Sequence, residues 1–259
     1  MMRFAYSTLG WHGPLRETCH SIAELGFEGI EMFQLLYLVE QGKDIRAMLK
    51  EFGLQLCAAY FGSAFVDDDV FPSELADVKA TVRAMTGLGA HILILGGGRV
   101  RRGREDSDKM TFIRNLNTLG KVAREYDAIL AFHPHMWTLI SSLAEIKKVM
   151  EATDPELVKL TADTAHLAGG GAEPTAFLRE YRERIVHVQF KDRKDHEFVE
   201  LGKGNLPIRE SYEVLARQGY RGWVTVELDA SEDPKASAKA NANYLRTQLG
   251  IERLRFHPG

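Results

Sequence analysis

Hydrophobic positions along the chain follow two alternating rhythms. Short, nearly continuous apolar runs begin near Arg3 (RFAYSTLG), Glu28 (EGIEMF), Leu54 (LQLCAAYF), His91 (HILILGG), Ala128 (AILAFHPH), Leu157 (LVKLTADT), Arg184 (RIVHVQF) and Gly222 (GWVTVELD). Successive starts lie 25 to 38 residues apart. Runs of this length, apolar on both sides of the chain, read as strands buried on both faces. Most intervals carry the helical period instead. Leu15, Cys19, Ile22 and Ala23 form one stripe, closed by Gly26, and Ile45, Met48, Leu49 and Phe52 form another, stopped by Gly53. Leu75, Val78, Val82 and Met85 follow Pro72, a residue suited to a first helical turn. Ser142 and Glu145 have the spacing of a capping box ahead of Ile146 and Met150; Tyr212, Leu215 and Ala216 precede Gly219, and Asp233-Pro234 opens a final helix.

Eight strand–helix alternations of this kind predict a parallel sheet. Within about 250 residues they predict a closed (β/α)8 TIM barrel rather than an open doubly wound sheet. No Pro-, Gly- or Ser-rich linker interrupts the pattern, so residues 1–259 are expected to form a single barrel domain. The one Gly-rich turn after a strand, LGGGR at residues 95–99, lacks dinucleotide-binding spacing. Its glycines are expected to let the backbone approach a ligand or clear a neighbouring loop.

Composition narrows the class. The 259 residues are 45% hydrophobic and 27% charged, as in a soluble globular protein. The two cysteines, Cys19 and Cys57, fall on apolar faces and read as core residues of a reducing compartment. No apolar stretch reaches the ~18 residues of a membrane span, and no signal-peptide pattern opens the chain. A net charge of −3 argues against a nucleic-acid partner. A cytoplasmic protein without membrane association is expected.

In such a barrel the chemistry sits where strands end and βα loops begin. The fifth strand ends in His133 and His135, the sixth in Asp163 with His166 three residues on. The seventh carries His187, Gln189, Lys191 and Asp192, the eighth Glu227 and Asp229, and the second Glu31. Strand alternation turns His187, Gln189 and Lys191 to one side, and Glu227 and Asp229 to another shared side. Four consecutive strands thus present a mixed nitrogen and oxygen set of the kind that binds a divalent metal ion.

The stretches HPHMWT, ADTAHLAGGG, RIVHVQFKD and GWVTVELD together resemble the xylose isomerase-like barrel superfamily of sugar isomerases and epimerases, and within it the inosose dehydratase branch. The resemblance is strongest over residues 128–230. It implies a single divalent ion (Mn, Co, Zn, Fe or Mg) held by His133, Asp163, Gln189 and Glu227. Many members have Glu in place of His133 and His in place of Gln189. With Glu227 as the lone glutamate, the symmetric exchange of protons between two glutamates loses a partner. Asp163 and Glu227 would just neutralise a divalent ion, leaving it a stronger polariser than three carboxylates would.

The expected activity is therefore isomerisation, epimerisation or dehydration of a keto-sugar or keto-cyclitol through an enediolate, with the dehydratase favoured. Glu227 is the candidate ligand and base. His166, His135 and Lys191 are candidates to protonate a departing hydroxyl or hold substrate oxygens. Trp11, His12, Glu31, Tyr60, Trp137 and His187 are candidates for the substrate pocket, where indole would pack on a ring's C–H face. Two other functions stay open: a barrel that binds sugar without turning it over, and an endonuclease IV-type DNA-repair nuclease. Dimers and tetramers are common among similar barrels, which leaves a homodimer or homotetramer open. His91, at a strand start, is expected on the stability face. The 61–71 loop is expected to be a flexible lid or surface segment, and RVRRGRED at 99–106 a solvated loop or rim.

Overall fold

The computed structural model describes residues 2–251. All eight apolar runs become strands of one closed parallel barrel: β1 (Arg3–Ser7), β2 (Gly29–Phe33), β3 (Gln55–Phe61), β4 (Ile92–Gly96), β5 (Ile129–His133), β6 (Val158–Asp163), β7 (Ile185–Phe190) and β10 (Trp223–Val226). Neighbours follow chain order, and the ring closes where β1 pairs with β10, Arg3 opposite Trp223 through Tyr6 opposite Val226. The expected TIM barrel is the observed fold.

Helices α1 (Leu15–Glu24), α3 (Ile45–Phe52), α4 (Phe71–Gly87), α5 (Glu105–Glu125), α6 (Leu143–Ala152), α9 (Ile208–Arg217) and α10 (Pro234–Leu249) wrap the outside. Their apolar stripes meet the outward-facing strand side chains in a continuous core that includes Ile22, Val82, Phe112, Phe132, Phe190 and Leu245. Cys19 is buried in this core and Cys57 in a second, smaller cluster with Ala5, Ala58, Ile94 and Trp223; both are free. Ser142 and Glu145 form the predicted capping box at the start of α6. None of the described helices is long and apolar enough to cross a membrane.

Three additions to the eight-fold plan follow the C-terminal ends of β2, β6 and β7. Helix α2 (Leu35–Glu40) follows β2, entered through Gln34 in a left-handed conformation. Two short helices, α7 (Thr164–Gly169) and α8 (Pro174–Glu180), share the β6–β7 crossover. After β7 the chain forms an antiparallel hairpin, β8 (Asp192–Lys194) and β9 (Glu197–Val199).

The 61–71 loop is not a free lid. Glu74 Oε1 accepts hydrogen bonds from Ser63 Oγ and from the backbone N–H groups of Ala64 and Phe65. Asn115 donates to the Phe65 carbonyl, and Arg101 reaches from the 99–106 loop to Asp67, Asp108 and the Val66 carbonyl. The two loops brace one another because Arg101 finds carboxylates on both sides. His91 meets the Asp127 carbonyl at the opposite end of the barrel from the strand C-termini, 2.8 Å away.

Candidate active site

Strand ends deliver a compact polar cluster into the mouth. His133 is the last residue of β5, and Asp163 is at once the last residue of β6 and the N-cap of α7. Asp163 Oδ1 accepts from the backbone N–H groups of Ala165 and His166 at 2.8 Å each, satisfying two donors that an uncapped helix would leave free. Its second oxygen stays free to face the pocket, 3.8 Å from His133 Nε2 and 3.6 Å from Lys191 Nζ. The same cap starts the turn that brings His166 back beside its own carboxylate. His133, Asp163 and His166 each offer a ligand atom within 4.8 Å of the others.

Register settles which residue of β7 joins them. Gln189 lies opposite Asp163 on one side and Thr225 on the other, whereas His187 lies one step deeper, opposite Thr161 and Trp223. His187 is therefore not at the open pocket. Its Nε2 is 2.7 Å from Glu31 Oε2 and 3.1 Å from Thr225 Oγ1. Glu31, also expected at the pocket wall, instead lies beneath the cluster with both oxygens engaged, by His187 and by Gln189 Nε2 at 2.7 Å. Nor does it pair with Lys191, whose ammonium is held by Glu227 (2.7 Å), Asp229 (2.5 Å) and the more distant Asp163.

Lys191 is fully buried at the centre of this arrangement. Burial alone would lower its pKa, but Glu227, Asp163 and Asp229 hold it above the ordinary lysine value and the ammonium stays charged. Its Nζ also donates to His166 Nε2 at 3.3 Å, so that imidazole is the acceptor and keeps its hydrogen on Nδ1. Burial, with Lys191, His133 and His135 nearby, pushes His166 well below the usual imidazole range. Burial and His133 likewise bring His135 down to about 4. Two neutral rings can then approach closely, and the centroids of His135 and His166 are 3.6 Å apart with their planes tilted by 32°. Burial raises Asp163 too, but Lys191, His166 and His133 outweigh it and hold the carboxyl well below its ordinary value. Glu227 goes the other way: burial, helped by Glu31, Asp163 and Asp229 against Lys191, pushes it up to about 7.

Aromatic rings wall the cluster. Tyr60 stands edge-on to His133 at 6.2 Å, and Gly96 is required on β4 because any Cβ there would strike the Tyr60 hydroxyl. Burial and the Glu227 carboxylate push the Tyr60 phenol up to about 12. Trp137, 72% exposed and left-handed (φ 66°), stands 6.2 Å from His135 and 6.5 Å from His166. Trp11 and His12 are not gathered here. Gly10 (φ 79°) lies so close to the Leu228 carbonyl that only a residue without Cβ fits. Trp11 stands edge-on to Tyr6 instead, and His12 is exposed. A cleft of about 630 Å³ opens to the side, between α2 and α4, sharing Tyr60 and Phe33 with the mouth.

One participant escapes a reading by strand ends. Phe198 comes from the β8–β9 hairpin, with Lys191 Nζ 4.7 Å from its ring centre and His166 at 5.3 Å. Its signal was weak, two three-residue arms around Asp195-His196 in a charged stretch. Asp229 was visible as the eighth strand's last carboxylate, but only the fold pairs it with Lys191. Asp192 proves structural: its carboxylate accepts from the backbone N–H groups of Arg193, Gly202, Gly204 and Leu206, organising the loop after the hairpin.

The donor chemistry fits a divalent cation. Both nitrogens of His133, Asp163 Oδ2 and Gln189 Oε1 are buried without a hydrogen-bond partner. Buried polar atoms are ordinarily satisfied, and three neighbouring residues with free lone pairs mark a place for a ligand. Glu227 lies outside the tight His133–Asp163–His166 group and joins it through Gln189 Nε2 (3.2 Å) and Lys191.

The chain is 28% identical over 278 residues to the inosose dehydratase of Mesomycoplasma hyopneumoniae strain J, spanning 93% of this chain and 91% of that protein. Its fold matches the 3-keto-D-glucoside 4-epimerase YcjR from E. coli with a TM-score of 0.81 at 20% identity, covering 95% of this chain and all of that one. It also matches the IolI protein with a bound zinc atom, TM-score 0.78 at 14% identity, covering 95% and 97%. The family model described as xylose isomerase-like TIM barrel matches residues 19–248, nearly the whole of the closed barrel and every residue of the cluster at its mouth, and the chain belongs to that family.

Proposed function

We propose that this protein is a divalent-metal-dependent enzyme that removes water from a keto-cyclitol of the inosose type. One observation carries the reading: buried, unpartnered donor atoms on His133, Asp163 and Gln189 stand together at the catalytic end of the barrel. The likeness to inosose dehydratases over nine-tenths of the chain supports the substrate class. The bound zinc in IolI supports the metal. His133, Asp163, Gln189 and Glu227 are the proposed ligands, with His166 near enough to His133 and Asp163 to exchange into the set.

The chemistry supplied by a divalent ion there is Lewis-acid polarisation of a ketone carbonyl, which acidifies the adjacent C–H. The protein's own groups do the rest. Glu227, its carboxylate 2.7 Å from the Lys191 ammonium at the pocket, is the base that takes that proton. Lys191 stays charged, so it donates to substrate oxygens and offsets negative charge as the C–H bond breaks. His166 passes a proton to the β-hydroxyl as its C–O bond breaks. Its Nδ1–H is given up while Nε2 takes a proton from the Lys191 ammonium, which Glu227, 2.7 Å away, restores with the proton taken from carbon. Water leaves, and the electron pair of the C–H bond becomes the new C=C bond. Trp137 and Phe198 offer flat faces to the ring's C–H surface, their centroids 6.2 Å apart at the rim.

The test combines metal analysis with turnover. Protein purified without chelator should contain close to one divalent ion per chain, lost in His133→Ala and Glu227→Ala. Incubated with a keto-inositol, it should release water and form a conjugated product absorbing in the near ultraviolet. Conversion of ketoses without water loss would move the reading to an isomerase or epimerase. No metal, even after incubation with Mn2+, Co2+ or Zn2+, would end it.

A further inference from the structure

Beneath the cluster, Glu31 and His187 form a buried pair that the chemistry above does not use. Glu31 is nearly inaccessible; one oxygen pairs with His187 and the other accepts from Gln189 Nε2. Gln189 Nε2 also donates to Glu227 Oε2, so both amide hydrogens point at carboxylates while Oε1 has no partner.

A glutamine amide has no intrinsic preference for which end faces a pocket, because its terminal torsion is broad and the two ends have the same shape. Only its partners decide. Here a 180° turn would set the carbonyl oxygen against Glu31 and Glu227 and forfeit two charge-assisted hydrogen bonds. Glu31 is the firmer of the two anchors. Its bond is shorter, 2.7 against 3.2 Å, and it is fixed in turn by His187, itself beside Thr225. Glu227, by contrast, is shared with Lys191 and would be drawn to a cation.

We propose that Glu31 is a positioning residue, which holds the Gln189 amide so that an oxygen rather than an NH2 group faces the metal pocket. The proposal rests on the metal-dependent reading above. An NH2 group cannot ligate a cation, so a pocket with an unfixed amide presents its ligand only part of the time. Loss of a residue that orients a ligand typically weakens metal binding about 10- to 100-fold.

The experiment is Mn2+ titration of the full chain, followed calorimetrically or by the paramagnetic resonance of free Mn2+. Circular dichroism and melting of each variant verify the fold. Glu31→Met, similar in volume but without an acceptor, should weaken Mn2+ binding about tenfold or more. Glu31→Gln keeps one acceptor oxygen for the amide and should recover most of that loss. In a Gln189→Ala background, adding Glu31→Met should change the affinity little, because the residue through which Glu31 acts is gone. If Glu31→Met does not fold, Glu31→Asp keeps the charge but withdraws the oxygen by one methylene, and should lose affinity likewise. Equal losses in the Met and Gln variants would assign the effect to charge and overturn the proposal. So would an undiminished loss in the Gln189→Ala background, or unaltered binding in Glu31→Met. A wild-type chain that takes no Mn2+ would instead remove the metal reading itself, an outcome distinct from wild type and Glu31→Met binding alike.

Discussion

Asp163 divides its two oxygens between fold and chemistry. One caps α7; the other faces His133 and Lys191. Glu227 offers a test at the same scale. Burial leaves its carboxyl titrating at about 7, and a metal ion binds only the ionised form. Mn2+ affinity should therefore rise as pH increases towards and through 7, levelling above it, and binding near pH 6.5 should release a proton. Calorimetry in two buffers of different ionisation enthalpy measures that proton; a pH-independent affinity without proton release would contradict the assignment. Lys191→Met should lower turnover on the order of 100-fold, the usual scale for a missing proton-transfer partner, while the metal stays bound. Turnover unchanged in that variant would remove Lys191 from the reaction. Residues at strand ends were readable because period-2 alternation ties each side chain to a face; the choice of His133, Asp163, Gln189 and Glu227 among them came from the resemblance to the family. The Glu31–His187 pair was not readable: the partners are 156 positions apart and meet only across the closed barrel.

Among the elements, α6 had a complete local signature, and its energetics can be checked there. Ser142 accepts from the Glu145 N–H while Glu145 accepts from the N–H groups of Ser141 and Ser142 and pairs with Lys109 at 2.7 Å. Ser142→Ala should cost about 1 kcal/mol of unfolding free energy, measurable by chemical denaturation. Burial pushes Glu145 up, but Lys109 and the serine backbone hold it down at about 2. A carboxyl lowered on folding adds stability above its unfolded pKa and loses it on acidification. This contribution should thus be intact above about pH 4.5 and fade towards pH 2. A Glu145→Gln variant should show a shallower acid loss than the wild type across that window. The hairpin β8–β9 and helix α2 lacked such signatures, being short segments with neither clear periodicity nor caps. Arg101 illustrates a further limit: its position in a basic run reads as solvated, yet it ties Asp67 to Asp108.

For the whole molecule, closure of β1 on β10 and a core running through every barrel strand are expected to hold the fold without an ion. Chelator-treated protein should remain folded by circular dichroism. Because a metal that binds the native state alone stabilises it by mass action, Mn2+ at about 100 times its dissociation constant should add about 2.7 kcal/mol. For a chain of this size that is a rise in melting temperature of roughly 5–10 °C. The rise should vanish in His133→Ala. Unfolding on chelation would make the site structural rather than catalytic.

Periodicity alone carried the eight strands, most of the flanking helices and the barrel, since local hydrophobic spacing reports which face each segment must bury. It also carried the strand ends, since a barrel's topology converts position along a strand into position at the mouth. Register, loop path and pairing across the barrel were beyond its reach. Gln189 rather than His187 lies level with Asp163 because of strand stagger, a property of the closed sheet. Trp11 packs edge-on against Tyr6 and His12 is exposed, a matter of loop path after β1 that strand periodicity does not carry. Lys191 sits among three carboxylates because the end of β7 and the stretch Glu227–Asp229 after β10 converge, and no single segment contains that charge balance.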